Sequence, residues 1–128
     1  MSNIKIRISP IEGQGVFALR DFLNGEIVID WSKCSRVLSQ QEFLNLSEEE
    51  KNYVSFIDKK YVLFLEPARF VNHSCQANTK ALNNGDVAVR NIKKGEEITA
   101  DYTAENAPGL KFKCNCQSNN CKGWIRLK

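Results

Sequence analysis

The sequence predicts a mainly β fold with short helices. Short apolar or alternating segments recur along the chain, and turn residues such as Asn24-Gly25 and Asn83-Asn84-Gly85-Asp86 separate them at close spacing. Only two segments carry the signals of a helix start. The 128 residues suit one domain with a single modest core.

The first two strands are predicted on either side of a glycine turn. Ile4–Ile8 alternates apolar and basic residues, which is typical of a half-buried strand, and Ser9-Pro10 ends it. A second strand begins at residues 16–18, after Gly13-Gln14-Gly15. No third glycine or helix follows, so this is not a phosphate-binding loop. The glycine pair indicates only accessible backbone amides, for a hairpin or for a ligand.

Two short helices are predicted next. Ser39 can cap a helix over residues 40–45. Ser47-Glu48-Glu49-Glu50 has the spacing of a capping box, which predicts a second helix running to about Phe56. Between the strands and these helices, Cys34 stands alone and is interpreted as a small buried hydrophobe.

Four further strands are predicted at residues 26–31, 61–65, 87–90 and 98–102. Each follows a turn signal: Asn24-Gly25, Lys59-Lys60, the Asn83 turn and Lys93-Lys94-Gly95. We find no internal repeat and no low-complexity segment in the sequence.

A dense polar stretch at residues 69–78 holds the only histidine, His73, together with Cys75. It follows the apolar run at 61–65, which predicts a buried polar site rather than a solvated loop. We expect this stretch, residues 95–102 and residues 114–121 to meet in space. A role for His73 as a hydrogen-bonded core histidine is compatible with a role in that site.

Three of the five cysteines follow a Cys-x-Cys-x4-Cys spacing: Cys114, Cys116 and Cys121. Structural zinc takes four Cys or His ligands in a tetrahedron, and clustered thiols in a reducing compartment more often bind metal than pair. The spacing therefore predicts a zinc site whose fourth ligand is Cys34, His73 or Cys75. The alternatives are surface thiols without metal, or thiol redox chemistry, whose usual Cys-x-x-Cys spacing is missing.

Charge and hydropathy narrow the class of protein. The net charge of +3 is too small to indicate a nucleic-acid binder. Residues 111–128 carry five basic side chains and no acidic one, a tail that could favour an acidic partner but is more simply a solvated basic terminus. Without a membrane-length apolar run or a signal-peptide core, the protein is expected to be intracellular, in the cytoplasm or nucleus.

Four segments together resemble the motifs of SET-domain protein lysine methyltransferases. Asn72-His73-Ser74-Cys75, with Asn78, resembles Asn-His-Ser-Cys-x-Pro-Asn, and residues 95–102 resemble Gly-Glu-Glu-Leu-Thr-x-Asp-Tyr. Gly13-Gln14-Gly15 resembles the opening Gly-x-Gly segment of the family, and residues 114–124 resemble its cysteine-rich post-SET tail. The order and spacing match over nearly the whole chain.

The resemblance implies a fold and an activity. The fold would be the SET-type β-clip of small curved sheets with a C-terminal pseudoknot, divided into a SET domain at residues 1–110 and a zinc-binding tail at 111–128. S-adenosylmethionine would lie in one cleft, and a lysine of a histone or another basic protein would enter from the opposite face. A non-catalytic, zinc-stabilised peptide-binding module of the same fold is the alternative.

The resemblance also implies residue roles. Tyr102 would be the catalytic tyrosine, and Tyr53 would line the lysine channel. The cofactor-binding residues would be Gly13, Gln14, Gly15, Asn72, His73 and Phe112, with Trp124 helping to close the pockets. The zinc ligands would be Cys75, Cys114, Cys116 and Cys121. In the structural alternatives, Tyr102 is an ordinary strand aromatic, Tyr53 packs a helix and Trp124 covers the zinc site.

Two positions depart from the family pattern. Ala77 replaces the usual proline, which is expected to loosen that turn slightly. Ala100 stands two residues before Tyr102, where the family often has Phe or Tyr. A small residue there predicts a roomier pocket and a higher methylation state.

Overall fold

The structure is a computed structural model that describes residues 3–57, 59–82 and 84–101, Cys121, and the backbone of residues 111–113 and 124–126. Over these residues the chain forms twelve strands, two short α-helices and two 3-10 turns. The prediction of a mainly β fold with short helices is therefore confirmed. Within the described part of the chain, no helix has the length and apolar character needed to cross a membrane.

The strands follow one another as β1 (Ile4–Ile8), β2 (Gln14–Ala18), β3 (Ile27–Asp30), β4 (Ser35–Leu38), β5 (Val54–Ile57), β6 (Lys60–Phe64), β7 (Asn72–His73), β8 (Thr79–Ala81), β9 (Gly85–Ala88), β10 (Glu97–Ala100), β11 (Lys111–Lys113) and β12 (Trp124–Arg126). The helices are α1 (Gln40–Leu44) and α2 (Glu48–Lys51). The 3-10 turns are Trp31–Lys33 and Ala68–Phe70.

The largest sheet has the strand order β1-β2-β10-β7. The first two strands form the predicted hairpin, in which Ile4 lies opposite Ala18 and Ile8 lies opposite Gln14. Strand β10 pairs antiparallel with β2 and parallel with β7. This sheet therefore joins the start of the chain to the polar stretch and to the segment around residue 98.

Two three-stranded sheets, β3-β9-β8 and β4-β6-β5, and the β11-β12 hairpin make up the other described sheets. The main core lies between the sheets, and its most deeply buried side chains include Val16, Phe22, Ile92 and Ile98. A second cluster under the helices contains Leu38, Val54 and Leu63, with Phe43 of α1 stacked on Tyr61 of β6.

Helix α1 starts as predicted. The Ser39 hydroxyl accepts a hydrogen bond from the Glu42 backbone N–H, and the Glu42 carboxylate accepts one from the Ser39 N–H. This reciprocal pair is a capping box, which satisfies two backbone donors at the helix start.

The predicted second helix is too long. Helix α2 ends at Lys51, and residues 54–57 form strand β5 instead of helix. The run Val54-Ser55-Phe56-Ile57 contains β-branched and aromatic side chains that favour a strand. Pairing with β6 places Val54 opposite Leu63 and buries both, which outweighs the helix signal at Ser47.

The structure reveals two equivalent turns that are far apart in the chain. Residues 20–26 and 90–96 both have the pattern Arg-x-x-x-x-Gly-Glu, and both form the same turn. In each, the final glutamate accepts hydrogen bonds from the arginine six residues earlier and from the backbone N–H three residues earlier. Gly25 and Gly95 have nearly equal left-handed φ values, 92° and 95°.

The two turns pack against each other as a symmetric pair. Phe22 and Ile92 exchange both backbone hydrogen bonds, at 2.7 and 2.8 Å. The Asp21 carboxylate accepts from the Lys94 N–H of the other turn, and the Asn91 side chain accepts from a backbone N–H of the first. The similarity lies in this bonding, because only three of the seven residues are identical.

Candidate cofactor site

Strand β10 brings two of the predicted motifs together. Its pairing with β7 places Thr99 opposite Asn72 and Ala100 opposite His73, while its pairing with β2 places Glu97 opposite Phe17. The expectation that residues 69–78 and 95–102 meet in space is confirmed for their described residues. Apart from Cys121, the third stretch lies outside the residues that the structure describes.

The glycine turn that leads into β2 requires both Gly13 and Gly15. Gly13 has a φ of +41°, in the left-handed region that L side chains rarely adopt. At Gly15, an added Cβ would overlap Glu97 Oε2 and lie 2.9 Å from Ser9 Cβ. The Ser9 N–H closes the turn by donating to the Gly13 carbonyl at 2.8 Å.

Asn72 ties strand β7 to this turn. Its side-chain Nδ2 donates to the carbonyl oxygens of Glu12 and Gln14, both at 3.0 Å, and to Glu97 Oε2 at 2.9 Å. All three partners are acceptors, which fixes the orientation of the amide. The structure thus joins Asn72 to the Gly13–Gln14–Gly15 turn, two segments to which the family resemblance assigns a common ligand.

Two residues of this site were not assigned a role from the sequence. The Ser9 hydroxyl donates to both carboxylate oxygens of Glu97, at 2.7 and 2.8 Å. In the sequence, Ser9 marks only the end of a strand, and Glu97 is one residue of a motif. The only signal available was that Glu97 is a charged residue beside the apolar Ile98 in a short strand, which indicates a polar partner for it.

His73 is almost fully buried, with 3% of its surface exposed. Its Nε2 shares a hydrogen bond with Cys75 Sγ at 3.3 Å, and its Nδ1 lies 3.7 Å from Asp101 Oδ1. The interpretation as a hydrogen-bonded core histidine is confirmed for the side chain. Its predicted contact with a cofactor stays a prediction.

Asn78 completes the polar motif as a structural residue. It is 2% exposed; its Nδ2 donates to the Glu97 carbonyl at 2.8 Å, and its Oδ1 accepts from the Thr99 N–H at 2.9 Å. The amide therefore bonds to β10 as the backbone of a neighbouring strand would. It holds β10 at the position where Glu97 and Ala100 reach the site.

Cys75 is buried beside His73, where a thiolate could act as a soft ligand to zinc. Cys121 is exposed, and Cys114 and Cys116 lie outside the described residues. Within the described part of the chain, no group of three or more His, Cys, Asp or Glu side chains is arranged to hold a metal. The zinc site therefore stays a prediction.

Cys34 lies in the main core, 3% exposed, as predicted for a small buried hydrophobe. Its thiol donates to the Asp30 carbonyl oxygen at 3.3 Å. Burial raises the pKa of this thiol, because the thiolate would lose its hydration in the core.

Tyr53 directly precedes β5, so it does not lie inside a helix as predicted. It is half-buried and packs against the second cluster. The Arg69 guanidinium lies over its ring, 4.4 Å from the centroid. The Arg69 Nε also donates to the Phe64 carbonyl oxygen at 3.2 Å. Tyr53 is thus held by a cation on one face of its ring, while its predicted role in a lysine channel stays a prediction.

Of three other predicted site residues, two are described by their backbone alone and one is not described. Tyr102 lies outside the described residues. The backbone of Phe112 pairs with Ile125, and that of Lys113 pairs with Trp124, in the β11-β12 hairpin. That hairpin was not predicted, because the cysteine spacing carries no strand pattern.

Comparison with known proteins agrees with this arrangement. A family model described as SET domain matches residues 13–103. The chain is 36% identical over 99 residues to histone-lysine N-methyltransferase set9 of Neurospora crassa, covering 69% of this chain and 13% of that protein. It is 31% identical over 150 residues to a variant-silencing SET domain-containing protein of Plasmodium falciparum, covering all of this chain and 6% of that protein.

The fold is shared with a crystal structure of a candidate histone methyltransferase of Plasmodium falciparum. The TM-score is 0.65, with 80% of this chain and 94% of that chain covered, at 24% sequence identity. This likeness supports the predicted SET-type fold of small sheets. The predicted pseudoknot and the division at residue 110 depend on residues after Asp101 that lie largely outside the described part of the chain, and they stay predictions.

The chain spans only 13% and 6% of the lengths of the two relatives, so the likeness concerns a domain of each of those proteins. The family model nevertheless covers well over half of this chain, including the glycine turn, strand β7 and strand β10. The chain belongs to the SET domain family.

Proposed function

We propose that the chain is a protein-lysine N-methyltransferase that transfers methyl groups from S-adenosylmethionine to a lysine side chain of a protein substrate. The observation that carries this proposal is the Asn72 side chain, which ties the glycine turn to the His73 strand. Residues of both segments are assigned to cofactor binding. Relatives named histone-lysine N-methyltransferases support the substrate class.

The described residues suit this cofactor. Gly13 and Gln14 are exposed, and a Cβ built on Gly13 meets no atom within 4 Å, so one side of the turn is accessible. S-adenosylmethionine carries a sulfonium and an ammonium group. The Glu97 carboxylate beside the turn provides negative charge that favours such a cationic ligand. Gly13, Gln14, Gly15, Asn72 and His73 would hold it, and Phe112 would close over it.

Methyl transfer from this cofactor requires the residues to position the reactants more than to activate them. When bound, S-adenosylmethionine supplies a methyl group that its sulfonium already activates for transfer. The chain must hold the lysine nitrogen in line with that methyl group. It must also accept the lysine as a neutral amine, although a free lysine has a pKa near ~10.4.

An apolar channel beside a cationic cofactor lowers the pKa of the substrate lysine, because both disfavour the ammonium form. We assign Tyr53 to the lining of this channel. We propose that the substrate lysine loses its proton to solvent. His73 is not assigned as a general base, because its ring is buried and engaged with Cys75 and Asp101. A limb of the pH–rate profile that disappears on mutation of one enzyme residue would contradict the solvent route.

Tyr102 is assigned to orient the amine beside the transferred methyl group. Tyr102→Phe should fold and bind the cofactor as the native chain does, but its kcat should fall by about tenfold or more. Transfer of a labelled methyl group to histones and to proteins of a cell extract measures this. Tyr61→Phe is the matched control, because Tyr61 stacks on Phe43 in the second cluster. Equal turnover in the two variants would remove the role of Tyr102.

We assign Ala100 a role in setting how many methyl groups the enzyme transfers to one lysine. It is 2% exposed and lies on β10 opposite His73, two residues before Tyr102. Its small side chain should leave room for more than one transferred methyl group. Mass spectrometry of the product should show higher methylation with the native chain and a shift toward monomethyl-lysine with Ala100→Phe.

The histone names of the relatives favour a basic, nuclear substrate.

A further inference from the structure

We infer that Glu97 is a positioning residue for cofactor binding, which fixes the glycine turn of residues 13–15 through two clamps, Ser9 and Asn72. This inference rests on the proposed function, since it assumes that the turn receives S-adenosylmethionine. In this role the Glu97 carboxylate holds the turn in place and need not contact the cofactor itself.

The Glu97 carboxylate is the point where the two clamps meet. The Ser9 hydroxyl donates to both of its oxygens, and Asn72 Nδ2 donates to Oε2. The Ser9 oxygen also accepts from the Ile11 N–H at 3.0 Å, so the hydroxyl is used as donor and as acceptor. Hydrogen bonds to an ionised carboxylate are about twice as strong as neutral ones, which makes this three-residue group stiff.

Both clamps hold the backbone of the turn. The Ser9 N–H binds the Gly13 carbonyl, and Asn72 Nδ2 binds the carbonyls of Glu12 and Gln14. Three consecutive carbonyl groups are therefore fixed. Because a trans peptide group is planar, fixing a carbonyl also fixes the direction of the next N–H. The clamps thus set the directions of the N–H groups of Gly13 and Gln14, while Gly15 is held in the ladder opposite Arg7 of β1.

The carboxylate also packs directly against the turn. An added Cβ at Gly15 would overlap Glu97 Oε2, so the absence of a side chain at position 15 is what admits the carboxylate. The geometry explains why a charged residue stands in β10 next to the fully buried Ile98. Without Glu97, the two clamps would lose their common partner and the turn would become more mobile.

The preceding glutamate supplies a matched control. Glu96 accepts hydrogen bonds from Arg90 and from the Lys93 N–H in a surface turn, and its side chain is about a third exposed. Glu96→Gln makes the same chemical change one residue away and keeps an oxygen for the Lys93 N–H. In Glu97→Gln, by contrast, one of the two oxygens that Ser9 and Asn72 bind becomes a donor.

The test is calorimetric titration of S-adenosylmethionine and S-adenosylhomocysteine into the zinc-loaded full chain. Glu97→Gln should bind both about tenfold more weakly, the loss of roughly one charge-assisted hydrogen bond, while Glu96→Gln should stay within about twofold. In turnover, the KM for the cofactor should rise, with kcat at saturating cofactor and the KM for the lysine substrate nearly unchanged.

A second readout needs no cofactor. Hydrogen exchange of the peptide covering residues 9–15 should become faster in Glu97→Gln, and not in Glu96→Gln. Ser9→Ala removes the hydroxyl that joins Ser9 to Glu97 and keeps both the Ser9 N–H and the Asn72 clamp, so it serves if Glu97→Gln does not fold. Ser9→Ala should weaken binding and speed exchange in the same way. The effects of Ser9→Ala and Glu97→Gln should not add, because both remove the same interaction.

The outcomes separate the two claims. Native chain that binds neither ligand overturns the proposed function and this inference with it. Native chain that binds, while folded Glu97→Gln or Ser9→Ala has the native affinity and exchange, overturns only the inference. Weaker binding with faster exchange at residues 9–15, confined to these variants, supports it.

Discussion

Asp86 is a buried carboxylic acid among the residues that the structure describes. It lies in β9, 3% exposed, and its carboxylate accepts a hydrogen bond from Trp31 Nε1 at 3.0 Å. Burial raises the pKa of Asp86 to about 6, because the charged form loses its hydration, although the bond from Trp31 opposes this shift. The main core thus contains an acid whose neutral form predominates below about pH 6.

This acid should make stability depend on pH. Because folding raises the pKa of Asp86, its contribution to the free energy of unfolding is complete below pH ~4 and is lost as pH rises through ~6. Asp86→Asn keeps an acceptor for Trp31 without the charge. It should stabilise the protein by about 3 kcal/mol at pH 8 and hardly at all at pH 4. Urea denaturation of both chains at the two pH values measures this difference.

If the native chain and Asp86→Asn differ by the same amount at pH 4 and pH 8, the carboxylate does not titrate between them and the assignment fails. Asp30→Asn is the control, because Asp30 is exposed and the hydrogen bond from the Ser32 N–H lowers its pKa, so its effect on stability should change with pH in the opposite direction.

At the same scale, local motifs could be predicted and distant partners could not. Asn72 and His73 stand in a dense polar stretch, so their gathering into a site follows from neighbouring residues. Ser9 and Glu97 are 88 residues apart, and their hydrogen bond depends on the register of β1, β2 and β10. No spacing in the sequence reports that register.

At the scale of secondary structure, one buried side chain holds strand β10. The Asn78 amide donates to the Glu97 carbonyl and accepts from the Thr99 N–H, and the neighbouring Thr79 hydroxyl donates to the Thr99 carbonyl. Buried polar groups are costly to leave unsatisfied. The site on β10 should therefore depend on a residue that contacts no ligand.

Asn78→Ala should lower the free energy of unfolding by about 3 kcal/mol, because it leaves a buried N–H and a buried carbonyl without their partner. Asn91→Ala is the matched control, since Asn91 is exposed and its side chain accepts one backbone hydrogen bond. That variant should lose about 1 kcal/mol. Urea denaturation compares the two, and equal losses would contradict the structural role of Asn78.

Long or alternating strands could be predicted, whereas very short ones could not. Ile4–Ile8 was predicted with its bounds, because five alternating residues carry a clear period. Strand β7 has two residues and β8 has three, too few to show any period. The helix predicted to reach Phe56 failed because tertiary pairing of Val54 with β6 outweighed a local start signal.

For the whole molecule, the two equivalent turns at residues 20–26 and 90–96 place Phe22 and Ile92 at the centre of the main core. Both side chains are at most 1% exposed. The relationship was missed from the sequence because the bonding pattern is repeated while most side chains differ. It explains how segments 70 residues apart in the chain meet in register.

The predicted zinc site belongs to the same scale, because it would link Cys75 in the polar stretch to the tail. Purified chain should contain about one zinc ion, and a chelator should lower its melting temperature. Cys75→Ser should lose the metal, whereas Cys34→Ala should keep it, since Cys34 is a core residue bonded to Asp30. Elemental analysis measures the content. Loss of zinc in Cys34→Ala alone would show that the fourth ligand is assigned wrongly.

The central claim is that the glycine turn, clamped to strand β7 by Asn72, binds S-adenosylmethionine. Calorimetric titration of S-adenosylmethionine into the zinc-loaded chain tests it most directly, because binding needs no knowledge of the substrate. We predict binding of one cofactor per chain, abolished or strongly weakened by Asn72→Ala. No binding to folded native chain, either alone or with lysine peptides present, would contradict the account.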